Sequence, residues 1–321
     1  MSKKILITGY GWTGSGALRD MLSEYSSVSI IPREFDDIRT PGALADVIYG
    51  KLKNKEVAAA PSLQSASIPY MLKFIIRGLV PDFFWPKYLK GKSTARSYSL
   101  QLGINLYKER GLYKNCIKNI ELASNEDEVY KIASNWLESV ISLYAKSSSY
   151  VVFDQPIIYD CHGDIWPKIF KDSKLILVTR NPLDQMGAIL KEGPQFIRPV
   201  PWNVEFIYGR DSYKNRPLSF FMETTAARYS LISETYNRIG EDNMLVVQFE
   251  NLINNYETTK KNIENFIGIN PADHSMALDS FNPIKSKLGM DRRSELCQHT
   301  YARAQKLEEQ YLKMLVNVNA I

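Results

Sequence analysis

The sequence has few of the residues that build disulfide frameworks and metal sites. Its 321 residues include three cysteines and three histidines, and no two cysteines form a Cys-x-x-Cys pair. A small secreted protein held by disulfides usually carries an even set of cysteines, and a structural metal site needs ligands at short spacing. The sequence therefore predicts a reducing, cytoplasmic location and no resident metal.

Long hydrophobic runs and a strong charge of one sign are also missing. No segment reaches the run of about 18 apolar residues that suggests a membrane-spanning helix. The chain has 40 lysines and arginines and 35 aspartates and glutamates, so its net charge is only +5. A nucleic-acid-binding domain usually shows a strongly basic face. We therefore expect no membrane span, no secretory leader and no nucleic-acid partner, whereas a small anionic ligand is compatible with the charge.

Short apolar runs typical of buried strands alternate with helical stretches along the chain. The strand signals fall at residues 5–8, 28–31, 150–153, 175–178 and 245–247. Helical periodicity is clearest between Glu126 and Lys146, where apolar residues recur at steps of three and four. This alternation predicts an α/β fold in which helices flank a parallel β-sheet. In such a sheet, ligands bind beyond the carboxyl ends of the strands.

Nothing in the sequence marks a domain boundary. We find no internal repeat, low-complexity tract or linker rich in proline, glycine and serine. The sequence therefore predicts a single domain over residues 1–321. Within it, residues 43–150 have a mainly helical pattern, and residues 281–321 are expected to form a loop followed by a helix.

A glycine-rich turn, Gly9–Gly16, follows the first strand and precedes a helix. Amide groups at the start of a helix attract anions, and glycine lets the backbone approach a phosphate closely. Two motifs overlap here. One is the dinucleotide fingerprint G-x-G-x-x-G, with Glu34 near the position of a ribose-binding acid; the other is a phosphate loop without its usual lysine. The turn predicts phosphate binding but does not choose between them, and a tight turn that binds nothing is the third interpretation.

The turn after the central strand carries an arginine that helix formation alone does not explain. Asn181, Pro182 and Asp184 make an ordinary helix start. Arg180, which precedes them, is a fixed cation at the ligand-binding edge of the sheet and is suited to a forked contact with a phosphate. A dinucleotide-binding fold does not require this arginine.

Five segments together resemble one enzyme family. Residues 174–184 resemble the 3′-phosphate-binding segment of sulfotransferases that use 3′-phosphoadenosine 5′-phosphosulfate (PAPS), and residues 9–18 resemble their phosphosulfate loop. Residues 246–269 are similar to the strand, Glu-x-Leu motif and helix that complete the family's core. Residues 32–35 resemble the segment that carries the catalytic glutamate in glycan-modifying members. Residues 281–289 resemble the basic C-terminal loop that closes over the nucleotide.

The resemblance implies both a fold and a reaction. The fold is the P-loop-like, three-layer architecture of sulfotransferases, with residues 43–150 as a largely helical insertion on the acceptor side. The reaction is transfer of a sulfuryl group from PAPS, a co-substrate, to a hydroxyl acceptor, and it needs no metal. A carbohydrate is the first expectation for the acceptor, and a lipid or a small alcohol stays open.

The resemblance also implies site residues. Glu34 is the expected catalytic base. Asp154 is the second candidate, not from the resemblance but because it ends another strand on the same edge of the sheet. The residues expected to bind the nucleotide are Gly11, Trp12, Thr13, Gly14, Ser15, Gly16, Arg180, Lys285 and Lys287.

Three positions depart from the family's pattern. Trp12 stands where the phosphosulfate loop commonly has a lysine, and Ala188 stands where the 3′-phosphate site usually has a serine. After the third strand the chain has Asp154-Gln155-Pro156, where glycan-modifying relatives often have a second lysine. Two alternatives stay open. The fingerprint G-x-G-x-x-G with Glu34 allows an NAD(P)-dependent oxidoreductase of the Rossmann type, and the missing lysine allows a nucleotide-binding protein without catalytic activity.

Overall fold

A computed structural model describes most of the chain. The described residues are 2–9, 13–39, 42–53, 95–145, 148–157, 164–192, 217–275, 280–284 and 298–321. Four of the predicted nucleotide-binding residues, Gly11, Trp12, Lys285 and Lys287, lie outside them.

The described strands form one parallel sheet. They are β1 (Lys3–Thr8), β2 (Val28–Glu34), β3 (Tyr150–Asp154), β4 (Ser173–Thr179) and β5 (Met244–Gln248). The order across the sheet is β2-β3-β1-β4-β5, and every neighbouring pair is parallel. All five predicted strands are confirmed, and each is longer than its apolar run because polar residues at the ends also pair.

At least one helix follows each of these strands in the chain. In chain order they are α1 (Ser15–Leu22), α2 (Asp36–Arg39), α3 (Leu44–Lys53), α4 (Ala95–Leu122), α5 (Glu126–Tyr144), α6 (Trp166–Ile169), α7 (Pro182–Glu192), α8 (Pro217–Ile239), α9 (Phe249–Asn254), α10 (Tyr256–Ile267) and α11 (Gln298–Asn317). The helix predicted between Glu126 and Lys146 is confirmed as α5.

The sheet is buried on both faces, as the near-continuous apolar strands require. On one face, Ile5, Ile7 and Ile176 share a core cluster with apolar residues of α1, α9 and α10. On the other face, the hydroxyl of Thr179 lies 3.2 Å from that of Tyr311 in α11. The structure thus confirms the α/β class with a parallel sheet between helices.

The chain divides into two compact units. The first comprises residues 1–35, 148–163 and 172–321 and contains the whole sheet, whereas the second comprises residues 36–147 and 164–171. In the second unit, the regular elements that the structure describes are all helices, α2 to α6. The single domain over residues 1–321 stays a prediction.

No helix in the described ranges combines the length and the hydrophobicity needed to cross a membrane.

Candidate functional site

The predicted site residues that the structure describes gather at the carboxyl edge of the sheet. Thr13–Gly16 follow β1 and begin α1, and Arg180 directly follows β4, which pairs with β1. Glu34 ends β2, and its Cα is in register with that of Asp154 at the end of β3. Because all strands are parallel, these ends meet at one edge, where ligands of open α/β sheets bind.

The glycine turn requires glycine at position 14 for two reasons. Gly14 has a φ of +95°, which residues with a Cβ rarely adopt. A Cβ there would also lie only 2.1 Å from Cδ2 of Phe249. The carbonyl of Gly14 accepts the N–H groups of Ala17 and Leu18 and so begins α1. The first amides of this helix have no partner within it and can bind an anion.

Thr13 adds a buried hydroxyl to this turn. Its side chain is 5% exposed, and its Oγ1 has no hydrogen-bond partner among the residues that the structure describes. A buried polar atom of this kind is normally satisfied by protein, water or ligand. The turn therefore offers a hydroxyl, besides its amides, to a bound oxyanion.

Gln155 connects the two ends of the turn. Its Oε1 accepts the backbone N–H of Gly9 at 3.3 Å, and its Nε2 donates to Oγ of Ser15 at 2.7 Å. Sequence reasoning saw this residue only as a departure from the family's pattern. Its signal was its place directly after β3, but its contact with the turn depends on β3 lying beside β1.

Arg180 is almost fully buried, and the turn that carries it is fixed by carboxylates. The backbone N–H of Asn181 donates to Oε1 of Glu250 at 2.9 Å, and its Nδ2 donates to Oε1 of Glu308 at 2.6 Å. Oδ1 of Asn181 accepts the N–H of Leu183 at 2.9 Å, which confirms the predicted helix cap. Every polar group of the Asn181 side chain thus holds the turn in place.

Phe249 supports both predicted phosphate-binding turns. It begins α9, directly after β5, and is 8% exposed. Its ring packs against Gly14, and its centroid lies 5.3 Å from the guanidinium carbon of Arg180. An aromatic face attracts a cation at this distance. One side chain therefore sets the position of the glycine turn and of the arginine together.

Glu250, the residue after Phe249, places a buried carboxyl group behind the arginine turn. Burial raises the pKa of Glu250, and the hydrogen bond from Asn181 and the positive charge of Arg180 lower it in part. Burial disfavours the charged form of a carboxyl group, whereas a nearby cation favours it. The carboxylate and the guanidinium are thus coupled parts of one site.

The two candidate bases lie side by side in different surroundings. Glu34 is exposed, and its backbone carbonyl accepts a hydrogen bond from Nη1 of Arg33 at 3.0 Å. Asp154 is 3% exposed, and its Oδ2 lies 2.9 Å from Nη1 of Arg19. The Asp154 carboxylate is therefore enclosed and occupied by its ion pair with Arg19. Of the two, Glu34 is the more accessible to an acceptor.

The strand order bears on the dinucleotide interpretation of the glycine turn. In the usual dinucleotide-binding order, 3-2-1-4-5-6, the second strand lies next to the first. Here β3 lies between β1 and β2, so Glu34 is on a strand that does not touch β1. The fingerprint is present in the sequence, but the described sheet lacks the arrangement that normally accompanies it.

In the described ranges, no group of three or more His, Cys, Asp or Glu could hold a metal ion.

The fold is similar to that of solved sulfotransferase domains. The sulfotransferase domain from the Synechococcus PCC 7002 olefin synthase matches with a TM-score of 0.50 and 12% identity, over 97% of this chain and 94% of that domain. The sulfotransferase STF9 from Mycobacterium avium matches with a TM-score of 0.45 and 12% identity, over 100% of this chain and 78% of that one. No protein-family model and no curated protein sequence matches the chain. The likeness to the first structure shows that this chain has the fold of that domain.

Proposed function

We propose that this protein is a PAPS-dependent sulfotransferase that acts on a hydroxyl group. The observation that carries the proposal is the Phe249 ring, which packs against both the glycine turn and the buried Arg180. Two anion-binding elements joined in this way suit a ligand with phosphate groups at both ends. The sulfotransferase fold supports the same conclusion, as does a strand order unlike that of dinucleotide-binding folds.

Each turn would hold one end of the nucleotide. The amides of Gly14–Gly16, together with the hydroxyls of Thr13 and Ser15, would bind the 5′-phosphosulfate at the start of α1. Arg180 would bind the 3′-phosphate. The unpartnered Oγ1 of Thr13 fits this assignment, because a phosphate oxygen would satisfy it. Gly11, Trp12, Lys285 and Lys287 stay predicted nucleotide ligands.

The bound co-substrate would supply the sulfuryl group, which the acceptor oxygen gains as adenosine 3′,5′-bisphosphate leaves. Glu34 would take the proton of the acceptor hydroxyl. Asp154 would hold Arg19, which lies one helical turn beyond Ser15 on α1. The guanidinium of Arg19 would then provide the positive charge that the family's loop lysine provides and that Trp12 does not. We expect a carbohydrate acceptor and a cytoplasmic location.

Calorimetric titration with adenosine 3′,5′-bisphosphate and with NAD tests the nucleotide assignment. We expect the bisphosphate to bind and NAD not to bind. Binding of NAD alone would exclude the sulfotransferase proposal and restore the oxidoreductase.

Sulfate transfer is then tested with labelled PAPS and separate pools of carbohydrates, lipids and small alcohols. A second candidate function is that of a nucleotide-binding protein without catalytic activity, which the tryptophan at the lysine position, Trp12, favours. Binding of the bisphosphate without sulfate transfer to any pool would support this candidate.

The Glu34→Gln variant tests the catalytic base. Loss of a general base lowers turnover by about 10²- to 10⁴-fold, and because Glu34 is not a nucleotide ligand, the Kd for the bisphosphate should not change. The matched variant is Asp154→Asn, which breaks the ion pair with Arg19 and should lower the melting temperature as well. Normal turnover of Glu34→Gln would remove the base role from Glu34 and leave Asp154 as the candidate.

A further inference from the structure

Gln155 is a buried side chain in an unusual backbone conformation. It is 8% exposed, its φ is +55°, and its N–H donates to the carbonyl of Ile7 at 2.7 Å. For a residue with a Cβ, this left-handed conformation costs about 1–2 kcal/mol, and residues held in such conformations cluster at functional sites. The conformation brings its side chain to the glycine turn.

The hydrogen bonds of Gln155 have only one consistent assignment. The backbone N–H of Gly9 can only donate, so the group that faces it at 3.3 Å must be Oε1. The other end of the amide is then Nε2, which can only donate, and it lies 2.7 Å from Oγ of Ser15. The Ser15 oxygen is therefore an acceptor in this contact, and its own hydrogen is available to a different partner.

We infer that Gln155 is a positioning residue of the glycine turn, which keeps the Ser15 hydroxyl as a hydrogen-bond donor to the nucleotide's 5′-phosphate. It also closes the turn by joining Gly9 to Ser15, and as a neutral amide it adds no negative charge beside an anion. This inference rests on the proposed function, because the phosphate is the partner that the Ser15 hydrogen would meet.

The Gln155→Glu variant separates this role from simple packing. Glutamate has nearly the same shape and still accepts the N–H of Gly9, but as an anion it cannot donate to Ser15. The Ser15 hydroxyl would then donate to the glutamate and turn away from the ligand. We expect the Kd for adenosine 3′,5′-bisphosphate to rise by about 10- to 100-fold at pH 8, measured by calorimetry.

The pH dependence gives a readout that packing alone would not move. As pH falls and the new carboxyl group takes up a proton, it can donate again, so the Kd of the variant should approach that of the wild type. The charged groups beside it in the chain and on α1 are Asp154, its partner Arg19 and Asp20, which also pairs with Arg19, and they are the same in both proteins. The ratio of the two Kd values therefore isolates residue 155 and also cancels titration of the ligand.

Two further variants complete the test. Gln155→Met keeps the shape without either hydrogen bond, and it should lose affinity at every pH. In a Ser15→Ala background the Gln155→Glu change should cost clearly less affinity, because its target hydroxyl is gone. Equal Kd values for wild type and Gln155→Glu, or a loss that is independent of pH and of Ser15, would overturn the inference while leaving the proposed function intact. A wild-type protein that does not bind the bisphosphate would overturn both.

Discussion

The turn after β1 and the turn after β4 lie on paired neighbouring strands, yet they would bind anions by different chemistry. In the described part of the first turn, Thr13–Gly16, no residue is charged, and the groups on offer are amides and hydroxyls. The second turn presents the buried guanidinium of Arg180, with Glu250 and Glu308 fixing its backbone through Asn181. The first turn should therefore depend mainly on backbone shape, and the second mainly on charge.

The two turns nevertheless share one support. The Phe249 ring lies against Gly14 in the first turn and near the Arg180 guanidinium in the second. Variants that change the shape of the first turn can therefore be compared with variants that change the charge of the second, because both turns pack against the same ring.

The largest effect should come from adding a methyl group to the first turn. Gly14→Ala places a Cβ where φ is +95° and where Cδ2 of Phe249 would be 2.1 Å away. The backbone strain and the overpacking together should lower the free energy of unfolding by about 2–5 kcal/mol, measured by urea denaturation. The matched control is Gly16→Ala, because a Cβ at Gly16 meets nothing within 4 Å. Equal losses in both variants would contradict a turn that depends on shape.

This contrast also shows what could be predicted from the sequence. The five strands were readable because buried parallel strands are continuous apolar runs, and the glycines indicated a phosphate-binding turn. The strand order was not readable, because it depends on pairing between segments far apart in the chain. Two contacts follow from this order, that of Phe249 with Gly14 and that of Gln155 with Ser15. No local sequence pattern predicts them.

The second largest effect should come from removing the charge of the second turn. Arg180→Ala should weaken binding of adenosine 3′,5′-bisphosphate by about 10- to 150-fold, the range of a charge-assisted hydrogen bond. Binding of adenosine 5′-monophosphate, which has no 3′-phosphate, should hardly change. Arg180→Lys keeps the charge but not the forked geometry, so its loss should be smaller. Calorimetry with both nucleotides measures the three values, and equal losses for the two nucleotides would remove the 3′-phosphate assignment.

A smaller effect should come from the shared support. Phe249→Leu removes the aromatic face near Arg180 and loosens the packing against Gly14, and a cation–π contact contributes about 0.5–2 kcal/mol. We expect affinity to fall for both the bisphosphate and the 5′-monophosphate, whereas Arg180→Ala affects only the first. If Phe249→Leu changed only bisphosphate binding, the ring would support the arginine alone. Melting temperatures of the variants give the stability change separately.

The smallest effect should come from the carboxylate behind Arg180, and its sign is set by the raised pKa of Glu250. Because the folded pKa lies above the unfolded one, the folded protein loses stability as pH rises from the unfolded pKa to the folded pKa. Glu250→Gln keeps an acceptor for the N–H of Asn181 but cannot ionise, so it should gain stability relative to wild type across this window. We expect this gain to grow as pH rises through the window, because more of the wild-type protein must ionise a buried carboxyl group.

Urea unfolding of both proteins between pH 4 and pH 8 measures this gain as a function of pH. Glu250→Ala is the matched variant, because it removes the charge and also the hydrogen bond to Asn181. It should show the same dependence on pH, with an added loss of about 1 kcal/mol at every pH from the missing hydrogen bond. A difference between wild type and Glu250→Gln that stayed constant would mean that attraction to Arg180 only balances burial. A difference that favoured wild type as pH rises would mean that this attraction outweighs burial. The second turn would then be stabilised by its ion pair, and the contrast with the neutral first turn would be one of stability as well as of binding.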